Sequence, residues 1–236
     1  MVCHIVRLLD LQIRIWKSYL MNLSDLDILI LCGGKGSRLY GVLPEGTPKC
    51  MASINGEPFL EILVGLLARQ FPPERIKLSA GFGWDRIPLK FLVNGTVEPE
   101  PLGTGGAVAR AAALEHFRLS DPFFVANGDT YCELDYAAIL ESHLQSGFDA
   151  TIPYDRLYRH VGVAVLSKKS IAVASEKCGR KFNLESALAA WPKKKILVNW
   201  YAVDVRYWDI GTPESLSAFR RFWTEEKNAL SAMRQE

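Results

Sequence analysis

The densest chemistry in this sequence lies in Cys32-Gly33-Gly34-Lys35-Gly36-Ser37-Arg38-Leu39. Three glycines in four positions let a backbone turn tightly and approach a ligand without Cβ interference. Amides freed in such a turn form a concavity for anions, and Lys35 and Arg38 set cationic donors beside it. Lys49, directly after Pro48, brings a third positive charge within reach of the same mouth. Two readings stand for this segment: a phosphate-binding loop, or an ordinary glycine-rich turn from strand to helix. Neither the Gly-x-Gly-x-x-Gly fingerprint nor a Gly-Lys-Ser/Thr ending at the required spacing is present.

Two aspartates extend the chemistry. Asp129 follows Gly128 directly after the apolar run Pro122-Phe123-Phe124-Val125-Ala126, where a carboxylate can hold a divalent cation against bound phosphates or simply form the turn. Asp209 stands between Trp208 and Ile210, where an unpaired charge is costly, so it meets a cation or stabilises the turn before the last helix. A second glycine-rich stretch, Gly103-Thr104-Gly105-Gly106, lies between them and the first loop. Two carboxylates, two glycine loops and the cations Arg38 and Lys49 make a self-consistent site for nucleotidyl transfer, which needs the charge of a triphosphate neutralised.

The elements that would position these residues follow from the pattern. Ile28 to Leu31 is short, branched and bounded by an Asp and a Gly pair, so it reads as a buried strand. A helix opens at Pro58 and carries Leu60, Leu63, Leu66 and Leu67 before Pro72 and Pro73 stop it. Ile76 to Ala80 is a second strand, followed by a variable region to Val97. An alanine-rich helix is expected over 107–117, then the strand before Asn127-Gly128-Asp129. Asp135 caps the next helix and Gly147 closes it. Further strands fall at 148–152, 161–166 and 196–205, with a short helix at 184–190. Thr212 caps and Pro213 starts the last helix. This alternation implies a single α/β domain around a largely parallel or mixed sheet covered by helices on both faces, with ligands at the carboxyl ends of the strands.

Composition narrows the classes. A chain of 236 residues, 49% of them hydrophobic, can bury one sizeable core, and a formal charge of +2 gives no basic surface for nucleic acid. The five cysteines are scattered without zinc or redox spacing, which fits reduced thiols in a cytoplasmic setting. No apolar stretch reaches transmembrane length. Residues 1–25 read as an extension to a domain spanning 26–236. Ile5, Leu8, Leu9, Leu11, Ile15, Trp16 and Tyr19 are interrupted by Arg7, Asp10, Arg14 and Lys17. Four readings stand for it: an amphipathic helix on a membrane or partner, a helix on the protein's own core, disorder, or a leader upstream of a true start at Met21.

In these motifs the chain resembles the sugar-phosphate nucleotidyltransferases. The resemblance rests on Cys32 to Leu39, Pro48-Lys49, Glu100 to Ala107, Asn127-Gly128-Asp129 and Trp208 to Pro213. Ile54 to Leu60 and Glu100 to Ala107 look most like the D-glycero-D-manno-heptose 1-phosphate guanylyltransferase branch. It covers most of residues 27–224 and implies a Rossmann-like nucleotidyltransferase fold. The implied reaction joins a nucleoside triphosphate, GTP in that branch, to a sugar 1-phosphate and releases pyrophosphate, with magnesium. Carried over, Cys32, Gly33, Gly34, Gly36 and Ser37 wrap the triphosphate, Arg38 meets the leaving pyrophosphate and Lys49 the reacting phosphates. Gly81, Gly103, Thr104 and Gly105 line base and ribose, beside Gly128, and Asp129 and Asp209 hold the magnesium. No protein base is required, because the attacking sugar phosphate is already ionised.

One departure bears on the sugar half. The family usually carries an Arg-x-Gly strand and a Phe-x-Glu-Lys segment in its middle section, yet here Thr151-Ile152 runs to His160-Val161-Gly162 within about ten residues. Arg156, Arg159, Lys177 and Lys181 are the available replacements, and each also reads as a solvated surface charge. The alternatives to heptose guanylyl transfer are therefore a shortened homologue that binds nucleotide with little turnover, and transfer to another sugar or small-alcohol phosphate. Base identity rests on resemblance alone, and the oligomeric state is open.

Overall fold

In a computed structural model the described residues are 21–190 and 196–233. The expectations for residues 1–20, and Cys3 with them, lie outside the described residues. Leu23–Asp25 forms one 3-10 turn in which Asn22 and Asp25 cap each other reciprocally, and Met21 and Leu23 pack on the core.

In chain order the strands are β1 (Ile28–Cys32), β2 (Ser53–Ile54), β3 (Glu57–Pro58), β4 (Ile76–Ala80), β5 (Gly95–Val97) and β6 (Phe123–Asn127). They continue with β7 (Thr130–Cys132), β8 (Ala150–Tyr154), β9 (Val163–Leu166), β10 (Val198–Ala202) and β11 (Tyr207–Asp209). The helices are α1 (Phe59–Leu67), α2 (Leu89–Leu92), α3 (Gly103–Ala113), α4 (Tyr136–Ser146), α5 (Lys168–Cys178), α6 (Leu184–Ala190) and α7 (Pro213–Met233).

Seven strands form one sheet in the order β10-β8-β9-β6-β1-β4-β5. All neighbours are parallel except that β9 runs against both β6 and β8, so the sheet is mixed. The carboxyl ends of β1, β4 and β6 therefore lie together, with Gly33, Gly81 and Gly128 the first residue beyond each.

Strand alternation sorts the core into two layers. Ile28, Ile30, Phe124 and Ala126 face one layer, which contains side chains of α1, α4 and α7. Leu29, Phe123 and Val125 face the other, against Val108 and Ala111 of α3, Ile171 of α5 and Leu184 of α6. On the first layer Phe71, Phe124 and Tyr136 meet pairwise edge to face, with centroids 5.1–5.4 Å apart.

Local rules account for the helix ends. Asp135 accepts the Ala138 amide at 2.9 Å, Gly147 closes α4 at φ 62°, and Thr212 Oγ1 accepts the Ser215 amide at 3.2 Å. Four features depart from the sequence reading. Helix α3 begins at Gly103, so the second glycine segment is a helical first turn rather than a loop, and it ends at Ala113. The region before Val97 holds the edge strand β5. Helix α5 follows the Ser167 cap unannounced, because its sequence is too polar for a clear apolar stripe. The short strands β7 and β11 form an antiparallel pair separate from the main sheet.

Candidate active site

The first glycine loop leaves β1 over the carboxyl end of the sheet. The amides of Gly34 to Arg38 donate to no protein group among the described residues, as an anion cradle requires. Gly36 sits at φ 61°, and a Cβ there would overlap Lys49 Cγ, so glycine is needed for conformation and space alike. At Gly34 a Cβ would stand 3.4 Å from Lys49 Cε. The lysine stem thus lies along the loop and delivers its ammonium to Asp129, with which it forms an ion pair.

Asp129 is placed by the end of β6. The Gly128 amide donates to the Leu31 carbonyl at 3.0 Å, and a Cβ at Gly128 would stand 2.6 Å from that oxygen. Only glycine lets β6 press this closely on β1. Lys49, from one side of the sheet end, and Asp129, from the other, meet in a cavity of about 290 Å³. Cys32, Gly33, Gly34, Gly128, Gly103 and Thr104 also line it. The Cys32 thiol is buried and held well above its usual pKa by its hydrogen bond to Cys50, by burial and by the nearby carboxylates. It is a protonated wall group, not a nucleophile.

The opposite wall is the start of α3. The amides of Gly105 and Gly106 donate to the Phe182 carbonyl at 3.0 and 3.3 Å, and Thr104 Oγ1 accepts the Leu184 amide at 2.9 Å. These amides are spent on holding the 182–184 segment. Gly103 adopts φ 73° with a would-be Cβ 2.6 Å from the Phe182 carbonyl oxygen. Gly105 is buried against the Phe182 ring and lies outside the cavity lining.

The remaining residues fall around the rim. Gly81 packs on the loop rather than lining the cavity: its would-be Cβ lies 2.7 Å from Gly33 Cα. Ser37 and Arg38, both exposed, form a 3-10 turn with Leu39, which is buried in the core. Pairing of Asp209 with Thr130 across β11–β7, and the 2.9 Å bond from the Ile210 amide to the Asp129 carbonyl, bring the two aspartates to one corner. Asp209 Oδ1 accepts the Gly211 amide. A Cβ at Gly211 would lie 2.6 Å from Asp209 Oδ1 and 2.9 Å from Arg38 Nη2, so Arg38 and Asp209 flank the same glycine.

A model of the MobA-like NTP transferase domain matches residues 28–194. The chain belongs to that family. It is 34% identical over 136 residues to D-glycero-alpha-D-manno-heptose 1-phosphate guanylyltransferase of Aneurinibacillus thermoaerophilus, covering 54% of this chain and 56% of that protein. It is 31% identical over 147 residues to mannose-1-phosphate guanylyltransferase of Mycobacterium tuberculosis, covering 58% and 39%. The chain spans about half the length of the first curated relatives it matches. The crystal structure of HddC from Yersinia pseudotuberculosis complexed with GMP-PN superposes with a TM-score of 0.67 at 30% identity, over 84% of this chain and 99% of that one.

In this transferase domain, no three metal-ligating side chains converge among the described residues. Magnesium bound to a nucleotide needs only one or two carboxylates besides phosphate oxygens and water; of the two expected ligands, Asp129 lines the cavity and is paired with Lys49, and Asp209 lies outside the lining. Lys35, expected as a cationic donor beside the loop, lines the cavity, as do Asn127, named only within its motif, and Cys50 and Glu98, to which the sequence reading gave no role. Glu98 was legible only as the start of the second glycine segment, although it follows β5 as Asp129 follows β6, at a strand's carboxyl end.

Proposed function

We propose that this chain transfers a nucleoside monophosphate from a nucleoside triphosphate to a sugar 1-phosphate and releases pyrophosphate, with GTP and a heptose 1-phosphate as the pair. The observation that carries the reading is the meeting of Lys49 and Asp129 in a cavity walled by both glycine segments, beneath unpaired loop amides. The named guanylyltransferases among its relatives support the choice of base and sugar.

The loop amides and Lys35 take the phosphate chain. Lys49 withdraws charge from the phosphates around the reacting phosphorus, and Arg38 at the rim takes the pyrophosphate. A sugar phosphate oxygen attacks the α-phosphorus, and the bond to the bridging oxygen of the pyrophosphate breaks. The nucleophile is already an anion, so positioning and charge neutralisation carry the rate. Asp129 and Asp209 would hold magnesium, which supplies further neutralisation of the triphosphate when bound.

A second reading has an observation of its own. Only eight residues join β8 to β9, and they are folded into a tight turn on Asp155, which accepts the Leu157 and Arg159 amides and the Arg159 guanidinium. Arg156 pairs with Asp204. Two of the cations available for a sugar phosphate are thus engaged, which favours a nucleotide-binding homologue with weak turnover. Pyrophosphate release from magnesium, each of four nucleoside triphosphates and a panel of sugar 1-phosphates decides between them. Turnover with GTP and a heptose phosphate supports transfer, and nucleotide binding without release under any pairing overturns it.

A further inference from the structure

The main sheet has two edges, and only one of them is protected. At one edge β5 is three residues long and includes Gly95. At the other, β10 is Val198-Asn199-Trp200-Tyr201-Ala202, with no charge, proline or glycine in it. Edges are ordinarily blunted by shortness, lysine, proline or a bulge, because their unpaired backbone groups recruit another strand. The Leu197 carbonyl accepts the Asp149 amide, and the Val203 amide donates to the Tyr154 carbonyl, each at 2.9 Å. Leu197, Asn199, Tyr201 and Val203 therefore turn their backbone groups toward β8. By alternation the amides and carbonyls of Val198, Trp200 and Ala202 turn the other way, where no strand pairs with them among the described residues.

The same edge carries an aromatic surface. Trp200 is 57% exposed and meets Tyr154 edge to face, with centroids 6.4 Å apart. Tyr158, 85% exposed, stacks on Tyr154 at 5.6 Å. Single exposed rings are ordinary, but three in contact beside an uncharged edge strand mark an interaction site. None of them lines the cavity, so this surface is separate from the proposed transfer site.

We infer that β10 is a dimerisation edge, at which a second copy of this chain adds its own β10 antiparallel about a two-fold axis through Trp200. The strand is complementary to itself in that register. Trp200 pairs with its counterpart and Val198 with Ala202 of the other copy. These are the outward-turned residues, so each pair exchanges two backbone hydrogen bonds. On one face the two Trp200 rings stand side by side and join both aromatic surfaces into one. On the other face Leu197, 45% exposed, stands opposite Val203, and Asn199 opposite Tyr201. No two charged residues oppose each other within the paired strands. The two-fold axis uses both edges completely, so the assembly closes at two copies.

Sedimentation velocity over a concentration series tests this on the full chain and on Trp200→Lys, Ala202→Pro and Val93→Lys. The wild type should pass from 26.4 kDa to twice that mass as concentration rises. Trp200→Lys sets two ammonium groups at the axis and should raise the dimer dissociation constant about 30-fold or more, the scale of an interface hot spot. Ala202→Pro removes one outward donor per copy and no bond to β8, so about a tenfold loss is expected. Val93, exposed near the other edge, is the control, and its lysine variant should dimerise as the wild type does. Unchanged melting temperatures at a dilution where the wild type is monomeric confirm that the variants are folded. A wild type still monomeric at about 100 μM, where an interface of standard size assembles, overturns the inference. So does a dimer that Trp200→Lys leaves intact, or one that only Val93→Lys weakens. Growth beyond two copies also overturns it, because a paired β10 leaves no further edge of its kind. Each of these outcomes leaves the transfer reaction standing.

Discussion

Asp129 and Lys49 make each other's position, and that coupling separates a catalytic role from a structural one. Asp129→Asn leaves the backbone bonds from Gly128 to Leu31 and from Ile210 to Asp129 intact, since neither uses the carboxylate. The expected result is a loss of about 100-fold or more in kcat, the scale for removing one preorganised electrostatic group, with an unchanged melting curve. A fall in stability with little change in turnover would make Asp129 a turn residue. Arg38 is tested differently, because it is exposed and forms no ion pair among the described residues. Arg38→Lys keeps the charge and loses the planar fork, so kcat/KM should drop about tenfold or more if the guanidinium bridges two phosphate oxygens. Unchanged kcat/KM places Arg38 outside the reaction.

The contact that joins α3 to the 182–184 segment supports the cavity wall formed by Gly103 and Thr104. Gly105→Ala drives a methyl into the Phe182 ring, which is itself buried. Overpacking of this kind costs about 1–3 kcal/mol, and for a chain of this size each kcal/mol lowers Tm by roughly 2–4 °C. Phe182→Ala should cost stability alone yet combine with Gly105→Ala less than additively, because it removes the obstacle. Strict additivity in thermal denaturation would show that the two do not share this contact. At this scale the limits of the sequence are also plain. Strand β1, the Asp135 and Thr212 caps and the stop after α1 were legible because each has a local signal. The pairing β7–β11, which draws Asp209 to Asp129, was not, because Trp208 and Tyr131 are 77 positions apart and short strands off the main sheet carry no periodicity. Nor was the start of α3 at Gly103, where poor helix formers are held by the Phe182 carbonyl rather than by propensity. Strand β5, only three residues and at the sheet edge, hid Glu98 in the same way.

Across the whole molecule, a resolved pH dependence of folding in the mildly acidic range comes from a histidine outside the lining of the cavity. His143 of α4 is buried, with Nδ1 2.9 Å from Thr151 Oγ1 of β8, and Asn199 of β10 bonds the same hydroxyl at 3.4 Å and Ser142 Oγ at 3.0 Å. Burial pushes its pKa down to about 4, although the charges of Asp121 and Asp149 pull upward. Between that value and the ordinary histidine value near 6.5, the unfolded chain takes up a proton that the folded chain refuses. Stability must therefore rise with pH across this window and fall as pH drops from about 6.5 toward 4, by at most ~3 kcal/mol from this group. Glu98 acts in the opposite sense, since its raised pKa favours the folded protein below that pKa and is lost as pH rises through it. The two are separated by subtraction. His143→Gln keeps a partner for Thr151 and removes the titration, so its denaturation midpoints should fall less steeply than the wild type's between pH 6.5 and 4. Parallel profiles for the two proteins would mean that His143 takes up its proton in the fold as readily as in the unfolded chain. The α4 packing would then not be what excludes charge from the edge of the sheet.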